Sequence, residues 1–205
     1  MADPSYIDSD GVLTDPEAWV AISTSTPAGA HLLTLTSTDD GQVGDWSQYL
    51  DLIIIGYATS NEDYTPSRIR GSINGDTTST YDWESQDVIT DGSTYVNAAT
   101  SYDPFFYAGY TTSTDSGNST DSSGFFSTHI IEFFDINSAK FKTVNCQNAV
   151  DWGDGGRVYY ASQTFMKQLP ISRIDLHVDA PAGSWEFDTG TRFDLYGILP
   201  RMVSA

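Results

Sequence analysis

Hydrophobic and polar residues alternate with a period of two in several parts of this chain. Between residues 172 and 178, Ile174, Leu176 and Val178 alternate with polar neighbours, so one side of a β-strand faces a core and the other faces water. The alternation returns around residues 185–187 and 193–195, on either side of a glycine-containing turn sequence at 188–191. The last part of the chain is therefore predicted to close an antiparallel sheet.

Short apolar segments separated by turn sequences extend this pattern towards the N-terminus. Residues 52–55 are consecutively apolar, which predicts a central strand covered on both sides. Residues 77–101 and 111–124 are long polar stretches, and we expect the second to be an exposed functional loop or to pack against a neighbouring molecule. The other strands are predicted at residues 19–23, 32–36, 46–57, 67–74, 125–134, 141–146, 157–162 and 165–169.

Eight or more strands without helical periodicity are typical of an all-β fold. We expect an antiparallel β-sandwich, with jelly-roll topology, that covers residues 19–199 and is followed by a tail at 200–205. The preceding residues, 1–18, are polar and contain two Asp-Pro pairs. We interpret them as an extended N-terminal arm that docks on a neighbouring molecule or folds back onto its own domain, and we expect the first because a polar segment of this kind needs a partner to become ordered.

The charge of the chain restricts its partners. Against 28 acidic residues there are 9 Lys and Arg, which gives a formal net charge of −19. Nucleic acid is excluded as a partner because its binding needs clustered cations. No stretch is apolar over the length of a membrane span. Cys146 is the only cysteine, so an intrachain disulfide cannot form, and its position beside Val144 in a predicted strand indicates a small core residue.

Sequence motifs for catalysis are missing. The chain has no phosphate-binding glycine loop, zinc-protease motif or nucleophile elbow. Glu132 and Glu186 are weak candidates for the carboxylate pair of a glycan hydrolase, an alternative that stays open. His31, His129 and His177 are far apart in sequence and are interpreted as ordinary strand residues.

Two Asp-Gly segments have the composition of calcium-binding loops. Their candidate ligands are Asp8 and Asp10 in the first segment, and Asp151 and Asp154 in the second. Converging oxygens on a tight turn suit Ca²⁺, but neither segment reproduces the twelve-residue calcium loop with its terminal Glu. We therefore predict no cofactor and keep Ca²⁺ as an alternative.

An aromatic patch follows Asp103-Pro104. It consists of Phe105, Phe106, Tyr107 and Tyr110, and it is interpreted as core, as a contact between subunits, or as a platform on which a glycan stacks. Together with Trp19, these residues form the predicted interface.

Two motifs resemble those of a known family. The strand and turn at residues 68–77, RIRGSINGDT, resemble the RxRFNGDTGxNY motif of small β-sandwich structural proteins of tailed bacteriophages, with Ile73 at the aromatic position and Tyr81 as the tyrosine. Residues 187–198, FDTGTRFDLYGI, resemble that family's F-x-x-GSxFxLYGI terminus. The order of the intervening segments is also similar, and the likeness extends over residues 19–198.

The resemblance implies a virion protein of heads or tail fibres without catalytic residues. We expect a head decoration or cement protein on the particle surface. Its expected partners are copies of itself, in a homotrimer, and the major capsid protein or tail components. The alternative is a tail-fibre or receptor-binding module that recognises host surface glycans.

Overall fold

A computed structural model describes residues 19–61, 67–78, 80–89, 94–113, 126–151, 155–179 and 185–199. These residues are all-β, with no α-helix and one 3₁₀ turn at Trp46–Gln48. The strands are β1 (Trp19–Ser25), β2 (Leu32–Thr36), β3 (Asp51–Ser60), β4 (Ser67–Ile73), β5 (Tyr81–Ile89), β6 (Thr94–Asp103), β7 (Phe106–Ser113), β8 (Ser127–Phe134), β9 (Lys142–Asp151), β10 (Gly156–Phe165), β11 (Arg173–Asp179) and β12 (Arg192–Ile198).

The strands form a larger and a smaller antiparallel sheet. The larger has the order β1-β12-β3-β8-β9-β10-β5-β6, and the smaller has the order β2-β11-β4-β7. A short parallel pairing of Thr59 and Ser60 with Thr112 and Ser113 connects them. Strand β7 lies against the inner side of β9 and β10, so the two sheets form the layers of a sandwich. Jelly-roll topology stays a prediction.

Aromatic and aliphatic side chains fill the space between the layers. Phe106 of the smaller sheet packs edge-on against Phe133 of the larger one, with ring centroids 5.6 Å apart, and also contacts Tyr81. Both phenylalanines are fully buried. Cys146 lies in the same core, and burial raises the pKa of its thiol. The interpretation of Cys146 as a core residue is therefore confirmed.

The central strand and several others agree with the sequence prediction, whereas other segments differ. The strand predicted at residues 165–169 does not continue beyond Phe165, where β10 ends, and residues 185–187 contribute only an isolated bridge at Phe187. β3 is paired on both sides, with β12 and β8. It begins at Asp51 rather than at residue 46, because Asp45 caps a 3₁₀ turn by accepting the backbone N–H of Ser47 at 3.0 Å. The polar stretch at 77–101 contains β5 and most of β6. Its inward positions include Ser85 and Asp87, both buried, which hid the apolar alternation expected of a strand.

A tight turn after β4 holds the two segments that flank it. Asn74 and Gly75 both have positive φ, 56° and 67°, and the N–H of Asp76 donates to the carbonyl of Ile73 at 3.0 Å, as in a type I′ turn. The side-chain oxygen of Asn74 accepts from the N–H groups of Ser172 and Arg173 at 2.8 and 3.1 Å. The Asn-Gly sequence therefore fixes both the reversal and the start of β11.

Two side-chain amides close the edge of β7 that β4 does not cover. Asn148 on β9 accepts from the N–H of Tyr110 and donates to its carbonyl, both at 2.9 Å. Gln163 on β10 makes the same pair of bonds with Tyr107, at 2.6 and 2.9 Å. Each amide replaces the backbone of a missing strand, so the edge meets the requirement that buried polar groups be paired. This arrangement fixes the smaller sheet above β9 and β10.

The arm at residues 1–18, the tail at 200–205 and most of the predicted loop at 111–124 lie outside the described residues. Residues 111–113 of that loop belong to β7.

Candidate interaction surfaces

The predicted interface residues occupy different environments. Phe106 is fully buried in the core, and its assignment to an interface is corrected because its ring is covered by the chain's own second sheet. Tyr110 is also buried, whereas Phe105 and Tyr107 are half-buried. Trp19 is 55% exposed on the edge strand β1, where its ring lies 6.0 Å from that of Tyr196. The structure thus separates Trp19 from the aromatic patch.

The aromatic patch forms part of a cluster that we call the arginine–tyrosine patch. The guanidinium carbon of Arg68 lies 5.5 Å from the ring centroid of Tyr107 and 5.9 Å from that of Tyr110. Arg157 lies 4.1 Å from the centroid of Tyr110, and Arg70 lies 5.1 Å from that of Tyr107. Contacts of this kind are attractive because the ring face carries partial negative charge. The patch comprises Arg68, Arg70, Asp87, Asp103, Phe105, Tyr107, Tyr110 and Arg157.

The register of the strands explains how these side chains meet. Arg68 pairs with Tyr110, and Arg70 pairs with Tyr107, so all four lie on the outer side of the smaller sheet. A bulge between these pairs contains Gly109, with φ of 106°, and keeps both tyrosines on that side. Arg157 and Tyr159 come from the inner side of the larger sheet, and the Tyr159 ring lies 5.6 Å from that of Tyr110. The patch therefore lies at the step where the larger sheet extends past β7.

Two carboxylates lie within the patch. The carboxylate of Asp103 accepts two hydrogen bonds, one from the phenol O–H of Tyr107 at 2.9 Å and one from the backbone N–H of Phe105 at 3.0 Å. Burial raises the pKa of Asp87, and the nearby Arg157 and Arg68 oppose this shift. Within the described part of the chain, one carboxylate oxygen of Asp87 has no hydrogen-bond partner, and neither has Nε of Arg157. The patch thus has hydrogen-bonding capacity that the described residues leave unused.

A second surface, which we call the apolar face, covers the outer side of the larger sheet. One cross-strand row contains Tyr57, Thr128, Ala149, Val158 and Val88, and the next contains Ile55, Ile130, Gln147 and Tyr160. The ring of Phe126 packs edge-on against that of Tyr57 at 5.7 Å. The exposed members, between 37% and 57% accessible, are Tyr57, Val88, Phe126, Ile130, Val158 and Tyr160.

Charged residues are found only at the border of these rows. Arg192 pairs with Tyr57 in register and Asp194 pairs with Ile55, and the two charges form an ion pair of 2.9 Å with each other. Neither row, over the residues named, contains a charged side chain. Contiguous exposed apolar surface of this kind marks an interaction site. This surface was not predicted from the sequence. The exposed Val158 and Tyr160 flank the buried Tyr159 on β10. This run of three apolar residues is the sequence feature that indicates apolar side chains on both sides of the strand.

The remaining candidates that the structure describes do not converge on a site. Glu132 lies opposite Ile53, whereas Glu186 lies beside Asn61 at the other end of β3, so the structure does not bring the two carboxylates together. Asp151 is exposed, while Asp8, Asp10 and Asp154 lie outside the described residues. Within the described ranges, no group of three His, Cys, Asp or Glu side chains could hold a metal ion.

The histidines are placed differently from one another. His129 is fully buried, with ring nitrogens 2.7 Å from the hydroxyl of Ser127 and 2.9 Å from the carbonyl of Ala108. Burial lowers the pKa of His129 to about 4, so it is neutral at pH 7. The rings of His31 and His177 lie 5.9 Å apart, although 146 positions separate them in sequence. The ring of His177 also lies 4.9 Å from that of Phe105.

Residues of the two sequence motifs, at 68–81 and 187–198, stabilise the fold. The phenol oxygen of Tyr81 accepts the N–H of Ile73 at 2.7 Å, and Asn74 binds the start of β11. Thr191 exchanges two hydrogen bonds with the backbone of Thr59, both at 3.1 Å. These contacts link the sheets and turns, and they do not converge on a polar pocket.

Comparison with protein-family models, with curated proteins and with solved structures finds no match to this chain. The described residues include no helix that is long and apolar enough to span a membrane.

Proposed function

We propose that this chain is a non-enzymatic structural protein of a tailed-bacteriophage virion, a decoration protein on the exterior of the head. The observation that carries the proposal is the apolar face. A chain with a net charge of −19 keeps two adjacent rows of exposed side chains free of charge. Burial of such a surface is favourable by about 25 cal/mol per Å² of apolar area, and no desolvated carboxylate opposes it.

The function follows from mechanics rather than chemistry. A decoration protein stabilises a shell by burying surface across the boundaries between capsid subunits, and a stable contact needs roughly 1,000 Å² or more. The apolar face, built on paired β-strands, presents a rigid contact surface of this kind. The exposed carboxylates elsewhere on the chain keep the particle soluble. The resemblance of the two motifs to phage structural proteins supports the assignment to a virion.

The test measures binding to phage heads that lack the protein, with and without a charge in the apolar face. Val158→Asp introduces a carboxylate at a 57% exposed position in that face, and Leu169→Asp makes a comparable change at a 56% exposed position outside it. We expect Val158→Asp to abolish decoration seen by electron microscopy and the gain in thermal stability of the heads. The Leu169→Asp control should retain both. Equal binding by the two variants would contradict the proposal.

A tail-fibre or receptor-binding module is the second candidate. The exposed rings of Tyr57 and Tyr160 on a sheet surface favour it, because aromatic faces stack on sugar rings. In this case the protein should bind isolated tails or host glycans and not heads. Glycan-array binding that disappears in Tyr160→Ala, together with no decoration of heads, would select this candidate over the first.

A further inference from the structure

The arginine–tyrosine patch calls for a ligand with two kinds of polar group. Nε of Arg157 is an unused donor, and one oxygen of Asp87 is an unused acceptor in a side chain that is only 6% exposed. A simple anion would satisfy the arginine and be repelled by the aspartate. An acidic polypeptide supplies both groups, because its carboxylates accept from arginine while its N–H and hydroxyl groups donate to a carboxylate.

One segment of this chain has that composition. Residues 1–18 contain four Asp and one Glu, with Ser and Thr between them and no Lys, Arg or His. They also contain Tyr6, Ile7, Val12 and Leu13, which can pack against the tyrosine rings of the patch. Three of the nine cationic residues of the chain lie in the patch. We propose that residues 1–18 of one copy bind the arginine–tyrosine patch of a neighbouring copy.

The positions of the two surfaces favour exchange between copies. Trp19, which follows the arm, begins the edge strand β1, and Arg157 lies on β10, five strands further across the larger sheet. At about 4.8 Å per strand this is roughly 24 Å, and eighteen extended residues reach about 59 Å. The arm is therefore long enough to reach the patch of an adjacent copy, and a donor segment with a separate acceptor on each molecule is what a closed head-to-tail ring requires. The homotrimer expected from the sequence is such a ring.

The test uses the purified full-length chain and needs no phage particle, so its failure is distinguishable from failure of the decoration proposal. Light scattering measures the molar mass over a concentration series. Arg68→Gln with Arg157→Gln removes two charges from the patch, and Lys140→Gln with Lys167→Gln removes two elsewhere. The variant Asp8→Asn with Asp10→Asn changes only the arm. It therefore tests the same contact without altering the sandwich, even if the patch variant fails to fold.

We expect the wild type to form an oligomer of the 22.4 kDa chain that weakens at high salt. The patch and arm variants should each raise the dissociation constant about tenfold or more, because each loses charge-assisted hydrogen bonds, while the Lys control should match the wild type. A monomeric wild type, or an oligomer insensitive to the arm variant, would overturn the inference, as would a host glycan that occupies the patch in the wild-type oligomer.

Discussion

The side-chain amide of Asn148 provides a direct test of how the two layers are held together. In Asn148→Asp the carboxylate keeps the shape of the amide and still accepts from the N–H of Tyr110. It loses both hydrogen bonds that the amide nitrogen donates, to the carbonyls of Tyr110 at 2.9 Å and Thr128 at 3.0 Å. Because Asn148 is buried, water cannot replace them.

The expected cost follows from these contacts. Each lost hydrogen bond costs about 1–1.5 kcal/mol, and each buried carbonyl left facing a carboxylate adds a desolvation penalty. We expect the free energy of unfolding to fall by roughly 3–5 kcal/mol at pH 7. The deficit should shrink in acid, because a protonated carboxyl regains one donor. A loss of this size is a large part of the stability of an ordinary domain.

Urea unfolding followed by tryptophan fluorescence measures the change, with Gln147→Glu as the matched control. Gln147 is the neighbouring residue on β9, exposed on the outer side of the sheet, so the same exchange of amide for carboxylate should cost less than about 0.5 kcal/mol. If the two variants lost equal stability, the amide of Asn148 would not be what holds β7 in place.

Two further predictions concern the same region. His129 is neutral when folded because burial lowers its pKa to about 4; its contribution to stability is complete above its unfolded pKa of 6.5 and is lost as the pH falls towards 4. Between pH 7 and pH 4 this loss lowers the free energy of unfolding by about 3 kcal/mol. The His129→Gln variant should not show this pH-dependent decrease when its unfolding free energies are measured at the same two pH values. In Gly109→Ala a new Cβ would lie 2.4 Å from Cβ of Asn148, at φ of 106°, and thermal unfolding should show a loss of about 2–3 kcal/mol; an unchanged midpoint would mean that the bulge tolerates a side chain.

The fold class could be predicted from the sequence because several strands alternate between apolar and polar residues and others are short apolar runs between turn sequences. β2 and β11 are clear examples, with Leu33 and Leu35 facing inward in one and Ile174 and Leu176 in the other. β5 could not be predicted in this way, because Asp87 occupies an inward position where a core residue is expected. The burial of Asp87 depends on Arg68 and Arg157, which are 19 and 70 residues away in sequence. The local sequence around β5 therefore does not indicate that Asp87 faces inward.

The interaction surfaces could be predicted only in part. The aromatic residues at the start of β7 stand out in the sequence, but their environments depend on the bulge at Gly109, which turns Tyr107 and Tyr110 towards the arginines and leaves Phe106 in the core. The apolar face could not be predicted because its rows cross several strands. Val158, Thr128 and Tyr57 become neighbours only through the register of β10, β9, β8 and β3.

The arginine–tyrosine patch follows from the unequal sizes of the two sheets. Four strands cannot cover eight, so part of the inner side of β10 and β5 extends past β7, and the arginine–tyrosine patch occupies this step. The smaller sheet ends at β7 because the side-chain amides of Asn148 and Gln163 bond the backbone groups along its free edge. No further strand is needed to pair those groups. Had another strand paired there, it would have covered Arg157 and Tyr159. The hydrogen bonds that stabilise the sandwich therefore also keep the patch accessible to a partner.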